Sequence, residues 1–127
     1  MNDPIVAIKN HLKTEHTADP FFARYFVRQF PGTIDEGILV LDDNLDFDLD
    51  IDGYVRGHYQ VVVRSTEQQE ALEKALLLTP TLKFRNKTVG GIYFQLSNPL
   101  HYPMVYPRTD GDYFEASVNF DVAFSNT

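Results

Sequence analysis

The chain has 127 residues, enough for one domain, and a domain of that size buries about two-thirds of the surface its unfolded chain exposes. It contains no cysteine, which excludes disulfide frameworks, thiolate zinc sites and thiol nucleophiles together. Eighteen acids against eleven bases give a formal charge of −7, a balance that argues against tight nucleic-acid binding because such affinity comes from neutralising phosphates.

The charge is local. Asp42, Asp43, Asp46, Asp48, Asp50 and Asp52 fall within residues 42–52, where no base occurs, and outside that segment twelve acids meet eleven bases. Asp3, Pro4, Lys9 and Lys13 interrupt every apolar run near the N-terminus, so a secretory leader is not expected. No run approaches the roughly 20 apolar residues of a membrane span, so no membrane partner is expected.

In chain order, Asp3-Pro4 reads as an N-cap followed by proline at the first helical position, and Ile5, Ile8 and Leu12 recur at helical spacing. A short amphipathic helix to about Lys13 is predicted. Residues 21–30, FFARYFVRQF, are rich in aromatic and β-branched residues and end at the turn signal Pro31-Gly32, which predicts a strand. GILVL at 37–41 predicts a buried strand. Within the acidic segment, Leu45, Phe47, Leu49 and Ile51 alternate with acids, as in an acidic hairpin or loop that packs one side on an apolar neighbour.

HYQVVVR at 58–64 is the best central-strand candidate, with Tyr59, Val61 and Val63 on one face and Gln60, Val62 and Arg64 on the other. Both Ser65-x-x-Gln68 and Thr66-x-x-Gln69 have capping-box spacing. The helix that follows carries Ala71, Leu72, Ala75 and Leu76 on one stripe and stops at Thr79-Pro80. Residues 88–96 predict a strand bulged or curved at Gly90-Gly91. A loop then holds Pro99, Pro103 and Pro107, interleaved with His101, Tyr102, Met104 and Tyr106. In the last strand Phe114, Ala116, Val118, Phe120, Val122 and Phe124 alternate with Glu115, Ser117, Asn119, Asp121 and Ser125. Few helices and more strands favour an α+β domain, one unit over 1–127, with two main helices on one face of a mostly antiparallel or mixed sheet.

Chemistry finds little support in these residues. Asp48-Leu49-Asp50-Ile51-Asp52-Gly53 fits the opening of a calcium loop, which makes Asp48, Asp50 and Asp52 candidate metal ligands. Position 12 of such a loop is Tyr59 rather than a bidentate Glu, and position 9 is Arg56. His11, His16, His58 and His101 form no tight ligand pair, and no nucleophile elbow, phosphate loop or dinucleotide fingerprint occurs. No catalytic residue and no cofactor is assigned. Two segments favour assembly instead: LHYPMVYP at 100–107, with large side chains of the kind enriched at interfaces, and FFARYFVRQF, with five aromatics around Arg24 and Arg28.

The ordered set FFARYFVRQFP, GILVLDD, YQVVVRSTEQQEALEKA, a proline-containing loop and YFEASVNFDVAF spans most of residues 21–124. It resembles the small tail terminator (tail completion, or minor capsid) proteins of long-tailed bacteriophages. That resemblance implies an α+β subunit of a six-membered ring on the head-proximal end of the tail tube. Such a ring halts tube polymerisation and docks on the connector or head-completion protein, with DNA only as cargo through the lumen and neither catalysis nor cofactor. The expected location is the virion, with assembly in the host cytoplasm. An acidic ring suits a phosphate-repelling lumen or a charged end face. The interface or lumen candidates are accordingly Asp42, Asp43, Asp46, Asp48, Asp50, Asp52, Arg24, Arg28, Tyr102, Met104 and Tyr106. The alternatives are a head-completion or other neck-ring component or a tail-tube subunit, a monomeric calcium-dependent binding module built on Asp48, Asp50, Asp52 and Gly53, and, last, a small hydrolase.

Overall fold

The computed structural model describes residues 3–20, 24–30, 36–107 and 113–125. Its first helix, α1 (Pro4–Glu15), starts where Asp3 and Pro4 predict, with the Asp3 carboxylate accepting from the Ile5 amide at 2.9 Å. Then come β1 (Tyr25–Val27), β2 (Gly37–Phe47), β3 (Tyr54–Ser65), α2 (Gln68–Leu78), a 3₁₀ turn (Pro80–Leu82), β4 (Phe84–Val89), β5 (Ile92–Pro99), β6 (Met104–Pro107) and β7 (Phe114–Ser125). The seven strands form one mixed sheet in the order β1-β2-β3-β7-β5-β4, with β6 also on β7. β1 runs parallel to β2 and every other pair is antiparallel. Both helices pack on one face, and α1 touches β1 and β2 near one edge of the sheet and β4 at the other, so the sheet curls around the helix layer.

The core lies between that face and the helices. It takes Ile5, Ile8 and Leu12 from α1, Ala71, Ala75 and Leu78 from α2, and the predicted alternating faces of β3 and β7. Tyr59 is fully buried there, stacked on Phe120 at 4.9 Å with its hydroxyl 2.6 Å from Ser97 Oγ. Burial raises its phenol pKa well above the usual range.

Several expectations are corrected. The strand predicted over 21–30 is only Tyr25–Val27 among the described residues, because Arg28 turns out of it at φ 66°. Residues 21–23 and Pro31-Gly32 lie outside the described residues. The strand predicted over 37–41 continues to Phe47, carrying Asp42, Asp43 and Asp46 into the sheet, since β3 pairs with it all the way. Neither capping box forms. Glu67 stands at the N-cap without a side-chain bond, while Ser65 Oγ accepts from the Glu67 amide and donates to Glu70.

The buried stripe of α2 is Ala71, Ala75 and Leu78, leaving Leu76 and Leu77 exposed, because small alanines let the helix lie close on β3 and β7. Gly90-Gly91 is the turn of the β4–β5 hairpin rather than a bulge, with φ of 59° and 82°, as a two-residue turn of the primed type requires. Curvature enters at Gln95 instead, where the β5–β7 register shifts between Phe94 and Leu96. The final residues of the proline loop form β6 on β7.

Candidate assembly surfaces

The acidic segment occupies the β2–β3 hairpin. Up to Asp43 the even-numbered residues of β2 share the helix-bearing face, since Ile38, Val40 and Asp42 register with Val63, Val61 and Tyr59. Asn44 is then an extra residue, at φ 70° opposite Gly57, and beyond it Leu45 and Phe47 register with Gly57 and Val55. This bulge switches the parity of the strand. Without it, Asp46 would be driven onto the core side; with it, Leu45 packs there and Asp43 and Asp46 stand on the helix-free face.

Among the described residues, nothing covers the rest of the alternation. Phe47, Leu49 and Ile51 are 68%, 99% and 56% exposed at the hairpin end. They sit beside Asp46, Asp48, Asp50 and Asp52 in a two-faced finger, the composition of an interface anchor with a polar rim. Asp48 closes the finger: its Oδ1 accepts from the Asp50 and Ile51 amides at 2.8 and 3.0 Å, and its own amide donates to the Tyr54 carbonyl. Gly53, at φ 78°, completes the turn. Among the described residues no group of three or more His, Asp or Glu side chains gathers where a metal could sit, the segment of Asp48, Asp50 and Asp52 included.

The remaining candidates are placed apart from one another. Arg28 is engaged inside the subunit, with Nη1 and Nη2 on the Asp3 carboxylate at 2.8 and 3.1 Å and Nε 3.4 Å from Asp42, tying the start of α1 to β2. Arg24 is exposed at a groove of about 350 Å³ with Asp19, Glu36, Glu70 and Lys74, where Lys74 and Asp19 pair at 2.6 Å. Tyr102, Met104 and Tyr106 are exposed on the far side of β7. Met104 registers with Ser117 and Tyr106 with Glu115, so the proline loop is half strand and half surface.

Three relationships escaped sequence reading. First, Arg64 and Glu115 form a buried pair at 2.8 Å on the helix-free face, with Arg64 Nε and Nη2 both on Glu115 Oε2. The guanidinium lies 4.0 Å from the Phe30 ring centre and 4.2 Å from that of Tyr113. The only sequence signal was that both residues fall on the polar phase of apolar strands. Second, Pro99 registers with Phe120 and Met104 with Ser117, so residues 100–103 oppose only Val118 and Asn119. His101 closes this excursion by accepting the Asn119 amide on Nε2 at 3.2 Å, while its Nδ1 lies 2.8 Å from the Tyr102 carbonyl. Third, the other histidines serve locally. His11 packs edge-on to Phe84, His16 meets Thr81 Oγ1 at 2.9 Å, and His58 stands 3.9 Å from Asp121.

No protein-family model and no curated protein sequence matches the chain. Among solved structures, a chain of the virion of a native gene transfer agent particle has the same fold, with a TM-score of 0.66 over 98% of this chain and 100% of that one. The two are 10% identical in sequence. Among the described residues, no helix is long and apolar enough to cross a membrane.

Proposed function

We propose that this chain is a structural subunit of a phage-like virion, acting as a tail terminator. One observation carries the reading: end-to-end agreement of fold with a chain of a gene transfer agent virion. The ordered segments from FFARYFVRQFP to YFEASVNFDVAF supply the finer role. In this role six copies close into a ring on the head-proximal end of the tail tube, stop its growth and offer the surface on which the connector or head-completion protein docks. DNA crosses the lumen as cargo, and the subunit performs no reaction and holds no cofactor.

The surface suits that work. A subunit that lives alone gains nothing from leaving Phe47, Leu49 and Ile51 in water. On a subunit that assembles, they are anchors held out by a hairpin whose turn is closed by Asp48. The acids around them repel phosphate if they face the lumen and direct docking if they face an end of the ring.

Electron microscopy of the purified protein, alone and added to growing tail tubes, tests the proposal. The expected images are single closed rings of six copies that seat on one end of a tube and stop it from lengthening. Rings that stack into tubes of their own would make the chain a tube subunit instead. A monomer that neither closes nor binds tube ends would overturn the assembly reading.

A further inference from the structure

Among the described residues, two stretches at opposite ends of the sheet have no strand on their outer side, and they differ in sign. β1 covers β2 only at Ile38–Val40, so no described strand lies along the outer side of Leu41–Phe47. At the opposite end, no described strand lies along the outer side of β4, Phe84–Val89. The stretches are nearly equal in length. Residues 41–47 hold Asp42, Asp43 and Asp46 and no base, whereas residues 83–89 hold Lys83, Arg85 and Lys87 and no acid. Asp43, Asp46, Lys83, Arg85 and Lys87 are all exposed.

We propose that copies of this chain join head to tail, the outer side of β2 in one copy pairing with the outer side of β4 in the next, so that the sheet continues from subunit to subunit. The proposal rests on the ring reading above and names the contact that builds the ring. Charged side chains on an open edge ordinarily block pairing. Here each edge repels a second copy of itself, so β2–β2 and β4–β4 pairs are disfavoured and only the mixed pair is matched. A contact between two different patches is heterologous, and repeated by a rotation that closes on itself it builds a ring rather than a two-fold dimer.

The faces agree as well. Asp43 and Asp46 lie on the helix-free face of β2, and Arg85, in register with Leu96, lies on the helix-free face of β4. On the other face Lys87 borders a groove of about 310 Å³ between α1 and β4, lined by Ala7, His11, Val89 and Gly90 among others. Phe47, exposed on that same face of β2, is the side chain placed to fill it. Asp42 is held by Arg28 within its own subunit, so Asp43 and Asp46 carry the contact.

Two variants of the full chain test this, each reversing one edge: Asp43→Lys with Asp46→Lys, which makes both edges basic, and Arg85→Glu with Lys87→Glu, which makes both acidic. Sedimentation and light scattering read the assembly state, and circular dichroism checks the fold of each. Each variant alone should self-associate at least about tenfold more weakly than the parent, and an equal mixture should recover assembly to within about threefold, because every contact then joins unlike edges. Assembly of the parent should also weaken as salt rises from about 0.05 to 1 M. If either variant assembles like the parent, or if the folded pair fails to assemble on mixing, the edge contact is wrong while the ring stands. A parent that stays monomeric at every concentration and on tube ends removes the ring and the contact with it.

Discussion

The Asn44 carbonyl lies directly over Gly57: a β-carbon at position 57 would stand 1.9 Å from the Asn44 oxygen. The backbone of one strand therefore occupies the place where the other strand would carry a side chain, and the left-handed Asn44 makes the parity switch of β2 possible.

Gly57→Ala should destabilise the protein by about 3 kcal/mol, since the obstacle is backbone rather than a side chain that can turn away. Asn44→Gly, which suits a φ of 70°, should change stability by less than about 1 kcal/mol. Urea unfolding midpoints measure both. Equal effects would show that the bulge is not held by this approach.

Arg64 and Glu115 are about nine-tenths buried, with side-chain exposures of 10% and 8%. Arg64→Met alone should cost about 3–5 kcal/mol because it strands the Glu115 carboxylate, whereas Arg64→Met with Glu115→Leu should recover most of the loss. The double variant is the informative one: if it is as unstable as the single, the pair contributes net stability rather than merely requiring both members.

Asp3 and His11 should set separate acid limits on stability. Burial, with Lys87 nearby, lowers the His11 pKa below its ordinary 6.5, so its contribution is full above pH 6.5 and is lost as pH falls through the folded value. The Arg28 hydrogen bond lowers the Asp3 carboxyl below 3.8, so that contribution persists to lower pH and fades only below 3.8. His11→Gln should flatten the stability curve just below pH 6.5 relative to the parent, and Asp3→Asn should flatten it below 3.8. The Asp3 effect should be small because both partners are partly exposed. Denaturant titrations at a series of pH values separate the two.

His101→Ala should free the Asn119 amide from its ring acceptor, costing about 1–2 kcal/mol and speeding hydrogen exchange at that amide selectively. In the parent, nitrogen NMR should find Nε2 unprotonated and Nδ1 carrying the proton toward the Tyr102 carbonyl. A protonated Nε2 would contradict the contact.

Leu49→Ser and Ile51→Ser at the hairpin end should alter folding stability by less than about 0.5 kcal/mol, because these side chains touch little of their own subunit. The same changes should reduce assembly into particles, read as the fraction of completed virions. Normal completion would show that the exposed finger is not an anchor.

Much of the fold was legible because it depends on local rules. Asp3-Pro4 specified the start of α1, the alternation from Phe114 to Phe124 specified β7, and the valines of 61–63 marked a central strand. Gly90-Gly91 was recognised as a special place but assigned to a bulge, because a glycine pair serves turn and bulge alike and only the pairing of β4 with β5 distinguishes them. In α2 the spacing of the alanines places Ala71 and Ala75 on the buried stripe, but Leu76 and Leu78 are equally apolar and only the neighbouring sheet decides that Leu78 is covered.

By itself the sequence determined the class of fold, the concentration of charge in residues 42–52 and the exclusion of cysteine chemistry, because composition and periodicity are properties of the chain alone. Only the tertiary structure decided what those charges border. A period-two pattern states which residues share a face but not where a bulge exchanges the faces, and Asn44 does so in the middle of the acidic run. Nor can a linear pattern show that Asp43 and Asp46 line a stretch of β2 that no described strand borders, at the end of the sheet opposite the stretch of β4 that carries Arg85 and Lys87. That opposition depends on strand order, and strand order arises from contacts between residues distant in the chain.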